Sequence, residues 1–204
     1  IATRPVEQRP LIIKPPEVPE VRAEIAAYGW SVKDDESQAV EEAVSMMMAK
    51  LGQSPDFTFL FSAVGYNKEK LLQEFRRLLP GTKIYGGTTC LGPMTNDGFH
   101  VGEKASLAIM GVASEEIVWG VGGADLDKLP PREAGKAAIL AAIESAGKKA
   151  TEKPSIVFMT AAPGAEETIL KGIEDTVGKD VPIFGGSSGD NTITCLLYTS
   201  PSPR

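Results

Sequence analysis

Histidine and cysteine are almost missing from this chain. It has one His, His100, and two Cys, Cys90 and Cys195, among 204 residues. Two cysteines are too few for a disulfide framework or a zinc cluster. A reduced compartment, and with it a cytoplasmic location, is the expectation. The single histidine lies in a polar turn after Gly98, so a Cys or Ser nucleophile has no convincing base. No catalytic residue and no metal site is nominated. No apolar run approaches the roughly 20 residues of a membrane span. The N-terminus, opening on Ile1, lacks the charged-then-apolar pattern of a signal peptide. Basic residues are outnumbered, 21 Lys and Arg against 27 Asp and Glu, for a net charge of −6. With no basic stripe interleaved with aromatics, nucleic acid is not an expected partner. Phosphate signatures are missing too: there is no G-x-x-x-x-G-K-[ST], and Gly120-Val121-Gly122-Gly123 lacks the third-glycine spacing. No cofactor is expected.

What the chain does hold is one phrase written twice. Lys-Ile-Tyr-Gly-Gly-Thr-Thr-Cys-Leu-Gly at 83–92 answers to Pro-Ile-Phe-Gly-Gly-Ser-Ser-Gly-Asp at 182–190, with Ile84 over Ile183 at an offset of 99 residues. The same offset holds upstream: Pro55 falls on Pro154, Phe59 on Phe158, Gly65 on Gly164, Leu71 on Leu170, and Ala43 on Ala142. Self-similarity at a fixed offset is the mark of a repeated supersecondary unit. The repeats are placed at about 34–92 and 133–190.

Prolines 5, 10, 15, 16 and 19 make residues 1–27 an extended arm or linker. After a short apolar stretch at Tyr28 to Val32, helical spacing of Ala39, Val40, Ala43, Val44, Met47 and Leu51 predicts a helix opened by Asp34 and Asp35 and stopped by Gly52. Phe57 to Phe61 reads as a buried strand, the segment with Leu71, Leu72, Phe75, Leu78 and Leu79 as an amphipathic helix, and Ile84-Tyr85 as a strand entering the glycines. The second copy repeats this with Ala134 to Ala146, Ile156 to Met159, Glu166 to Val177 and Ile183-Phe184. Between the copies, Ala105 to Val112 and Ile117 to Val121 are expected to pair as an antiparallel hairpin. The expected fold is therefore α/β, a mixed sheet system of two tandem αβαβ repeats joined by a central β-hairpin. Residues 195–204, Cys-Leu-Leu-Tyr-Thr-Ser-Pro-Ser-Pro-Arg, resemble the translation of a transposase adapter and are set aside as a disordered, non-native tail, and Cys195 with them.

A strand running into two glycines and two hydroxyl residues presents open backbone N–H groups and short side chains at one point, which suits a small polar or anionic ligand. Glycine there equally answers a purely steric need. Under the binding reading, Gly86, Gly87, Thr88, Thr89 and Cys90 face Gly185, Gly186, Ser187, Ser188, Gly189 and Asp190 across one cleft, with Asp190 as the charged contact. Cys90 is either a ligand-lining or redox-sensitive thiol or a small buried apolar residue.

The run Asp56 to Phe61 with Ser62 and Tyr66, Leu71-Leu72, and Ile84-Tyr85-Gly86-Gly87-Thr88-Thr89 resembles the first half of the FIST N-terminal domain. The segment Glu167 to Gly172, followed by Pro182 to Asp190, resembles its second half, and the resemblance spans roughly 28–194. It implies a sensory input domain of a signal-transduction protein that binds an amino acid or similar metabolite without catalysis. It also implies a C-terminal FIST domain and an output module beyond a chain cut near Thr194. Thr88-Thr89-Cys90 departs from the family's smaller Ser/Ala-Gly residues. The rival readings are a small-molecule enzyme using Cys90 or a serine in the same cleft, and a structural or partner-docking module.

Overall fold

A computed structural model describes residues 25–189. The proline-rich arm through residue 24, Asp190 and the tail lie outside the described residues.

The chain begins with β1 (Ile25–Ser31), three residues ahead of the expected domain boundary, followed by α1 (Glu36–Leu51). Asp35 caps α1 by accepting the Gln38 N–H at 3.0 Å, and Gly52 ends it at φ 71°, a left-handed position that glycine adopts without strain. Next come β2 (Phe57–Ser62), α2 (Lys68–Leu78) capped by Asn67, and β3 (Lys83–Thr88). A two-residue hairpin, β4 (Met94–Thr95) with β5 (Gly98–Phe99), leads into β6 (Leu107–Ala113). The second half is α3 (Pro131–Ser145), β7 (Val157–Ala161), α4 (Glu166–Val177) and β8 (Ile183–Ser187).

The first four-stranded sheet has the order β1-β6-β2-β3, with β2 and β3 parallel and β6 antiparallel to both of its neighbours. In the second half β7 and β8 pair in parallel. The fold is α/β with mixed strand directions. Under the offset of 99 the registers coincide: Leu60 opposite Gly86 maps onto Met159 opposite Gly185, and Ser62 opposite Thr88 onto Ala161 opposite Ser187.

The hairpin expected from Ala105–Val112 and Ile117–Val121 does not form. The first segment is strand, but Ile117–Val121 makes no ladder among the described residues. Strand β6 has two edges, and β1 and β2 take both. The apolar stretch at 28–32, which carried no strand expectation, is the end of that true partner.

Period-two alternation gives each sheet a helix-facing side and an inner side. Ala27, Leu60, Leu107 and Ile109 join Val40, Met47, Leu71 and Phe75 in the first core. Val157 and Ala161 join Ile139, Ile143, Ile169 and Ile173 in the second. On the inner sides Phe59 meets Phe158 edge-on with ring centroids 5.3 Å apart, and Phe57 stacks on Trp119 at 4.2 Å. The layers therefore run helices, sheet, sheet, helices.

Glu36, at the start of α1, is buried and ties the two helices of the first core together. Its carboxylate accepts the Asn67 N–H at 3.0 Å and the ammonium groups of Lys70 at 3.1 Å and Lys104 at 3.4 Å. Those bonds, the Asn67 amide foremost, hold its pKa down to about 2. A carboxylate depressed in the folded state contributes stability that is complete above its unfolded pKa, near 4.5, and is lost as pH falls toward 2. The urea midpoint of the chain should thus fall as the pH is lowered from about 5 to about 2, and Glu36→Gln should flatten that fall. An unchanged slope in the variant would refute the assignment.

Candidate functional site

The strand ends of both halves carry the repeated phrase, and the structure brings the two phrases together. The Gly189 N–H donates to the Thr88 carbonyl at 3.0 Å. A Cβ added at Gly87 would lie 3.0 Å from the Ser188 hydroxyl, and one at Gly189 would lie 2.8 Å from the Cys90 nitrogen. Residues 87–90 therefore adjoin 188–189. The bonds that deliver them are also equivalent: Thr89 N–H to the Ser62 carbonyl at 2.9 Å, and Ser188 N–H to the Ala161 carbonyl at 2.8 Å. Each continues a parallel ladder one residue past its strand. Carboxyl ends of parallel strands are where open α/β sheets present ligand sites.

The two glycines of each phrase have different jobs. A Cβ on Gly86 would lie 1.7 Å from the Leu60 carbonyl oxygen, and one on Gly185 1.7 Å from that of Met159. These first glycines answer to close strand pairing, and Gly185 sits besides at φ 148°. A Cβ on Gly186 would meet nothing within 4 Å. The second glycines, Gly87 and Gly186, lie on the inner side with Phe158, Phe184 and Tyr85. Neither needs to be glycine to keep its own strand paired.

Hydroxyls divide in the same way. Ser187 lies on the helix side and donates to the Glu166 carboxylate at the start of α4, while Gly164 N–H donates to the same carboxylate at 2.8 Å. The Ser187 bond, with that of Glu166's own N–H, lowers the Glu166 pKa and keeps the group ionised. On the other side of the junction the Thr89 hydroxyl is buried with no hydrogen-bond partner among the described residues. Cys90 is a free, exposed cysteine and not a buried apolar filler. Asp190, the expected charged contact, lies outside the described residues.

Glu166 was not singled out by the sequence. A signal was available, since Glu166 stands 99 residues after Asn67, the cap of α2. Helix α4 has no side-chain cap of that kind, and its first residue turns its carboxylate to the phrase instead.

A cavity of about 1250 Å³ lies beside the junction, walled by Phe57, Phe59 and Tyr85 of the first sheet, by Trp119 and by Phe158. Of the nominated residues it touches Gly86 alone, so the concavity expected between the phrases is not this one. His100 is buried elsewhere, stacked on Trp30 with ring centroids 3.9 Å apart and bonded to the Thr95 hydroxyl at 2.7 Å. Burial lowers its pKa. Among the described residues no three His, Cys, Asp or Glu converge to hold a metal, and no helix is long and apolar enough to cross a membrane.

A family model described as the FIST N domain matches residues 56–199. The chain belongs to that family. FIST domains are generally sensory domains in signalling proteins. The match covers both phrases and extends five residues into the tail set aside above. A search of curated proteins finds no match. Among solved structures, the FtsZ dimer, empty, of M. jannaschii is similar at 14% identity and a TM-score of 0.29, over 46% of this chain and 28% of that one.

Proposed function

We propose that this FIST N domain binds an amino acid or closely similar metabolite at the junction of the two phrases and passes on its presence without altering it. The observation that carries the reading is the meeting of residues 87–90 with 188–189 at one end of both parallel strand pairs, beside an ionised carboxylate. Glu166 takes the role expected of Asp190, receiving the ligand's ammonium group, with Asp190 as a second acid. The hydroxyls of Thr88, Thr89 and Ser188 suit a carboxylate. A C-terminal FIST domain and an output module complete the signalling protein, which acts in the cytoplasm.

Thermal-shift screening against amino acids and related metabolites tests this, because a ligand at 100 times its dissociation constant adds about 2.7 kcal/mol. Gly186→Val should fold as stably as the parent and lose the shift, since its side chain enters open space. Glu166→Gln should weaken binding of ligands with an amine and spare those without one. A shift that survives both substitutions places the ligand elsewhere. Turnover of an added metabolite, abolished by Cys90→Ala, would overturn the non-catalytic reading.

A further inference from the structure

Among the described residues the second half has the helices of the first but only part of its sheet. In the first half, Gly29 of β1 lets the strand lie on α1: a Cβ there would be 2.0 Å from the Ala43 carbonyl oxygen. In the second half Gly120 does the same against α3, where a Cβ would be 2.1 Å from the Ala142 carbonyl oxygen. Ala43 and Ala142 correspond at the offset of 99. Ile117–Val121 therefore occupies over α3 the place that β1 occupies over α1, and β7 occupies that of β2.

Between β1 and β2 stands β6. Between Ile117–Val121 and β7 stands the cavity, lined by both and floored by Ala138, Ile139 and Ala142 of α3. Its surroundings carry the signs of a lost neighbour. Val118 and Phe158, which line it, are 62% and 51% exposed, large values for apolar residues. The Trp119 indole N–H is buried without a hydrogen-bond partner among the described residues. Among the described residues strand β7 pairs with β8 alone and presents its other edge to the cavity, a ready template for another strand.

We propose that this cavity is a strand slot, filled by an antiparallel β-strand of this same polypeptide downstream of Gly189, in the position that β6 holds in the first half. The offset puts that strand at 206–212, beyond the 204 residues of the sequence. Its residues alternate as in β6, with aliphatic side chains toward α3 and α4 and small or flexible ones toward Phe57 and Phe59. The hydrogen-bonding chemistry is strand addition, in which main-chain bonds hold the segment and alternate side-chain positions select it. Once it is seated, Ile117–Val121 gains a ladder and becomes the outer strand of a second four-stranded sheet.

The test replaces residues 191–204 with a copy of residues 92–113, so that the copied β6 stands at the offset of 99. Amide hydrogen exchange is then compared with the 204-residue chain. Amides of Ile117–Val121 and of the free edge of β7 should exchange at least about tenfold more slowly in the chimera, as expected when an open edge becomes a paired one. A copy carrying Ile109→Pro, which removes a ladder donor from the middle of the strand, should lose that protection. Unchanged exchange, equal protection from the proline copy, protection gained at the β3 or β8 edge instead, or a chimera less stable than the 204-residue chain would each overturn the proposal. None of these readouts depends on a ligand, so they fail or succeed apart from the sensing function.

Discussion

Gly86→Val should leave little folded protein, with a loss of more than about 3 kcal/mol. The new Cβ would sit 1.7 Å from the Leu60 carbonyl oxygen. That oxygen belongs to β2, which is held on both edges, by β3 and by β6. The clash can be relieved only by pulling β3 off the sheet, and with it the first phrase. Val at Gly186 is the natural comparison because the residue type and the phrase are the same while the space is not. Urea denaturation of the two variants side by side is the measurement. Equal midpoints would mean that the first glycine of the phrase is no more constrained by strand pairing than the second.

Phe75→Ala should cost about 3–5 kcal/mol. Phe75 is fully buried in α2 and belongs to the core formed with α1 and the first sheet. Truncation leaves a cavity where helices and sheet meet. Against a total stability of roughly 5–15 kcal/mol for a domain, that loss is large. The urea midpoint should drop with an unchanged dependence on denaturant. A change below about 1 kcal/mol would mean that the helix does not pack as described.

Much of the fold was legible because helix and strand periodicities were clean. Ala39, Val40, Ala43, Val44 and Met47, expected on one face of α1, are all buried, and the register of both parallel pairs follows the offset read from the glycine phrases. Pairing partners across long stretches of chain were not legible. Nothing local in Tyr-Gly-Trp-Ser distinguishes an edge strand awaiting β6 from a loop, and Ile117–Val121 looked like a strand because its residues suit one. The contrast between Gly86 and Gly87 was equally hidden, since two adjacent glycines read alike until the neighbouring carbonyls are placed. Glu166 was visible only as a helix-opening acid. Its reach to Ser187 depends on the turn at Gly164, at φ 92°, which the composition does not specify.

The placement of β6 between β1 and β2 governs how the polypeptide folds as it is made. Strand β1 ends at Ser31 and among the described residues pairs with β6 alone, and β6 begins only at Leu107. Until that later segment has left the ribosome, α1 and α2 have a two-stranded ribbon to pack on, and the β1 backbone has no ladder. Contacts so distant in sequence are slow to form, because the intervening chain must close first. Once residue 113 emerges, however, the first core has every element it uses, and nothing in it waits for α3 or α4. A nascent chain stalled with Ala113 already outside the ribosome should therefore resist protease, whereas one stalled with Leu107 still inside should not.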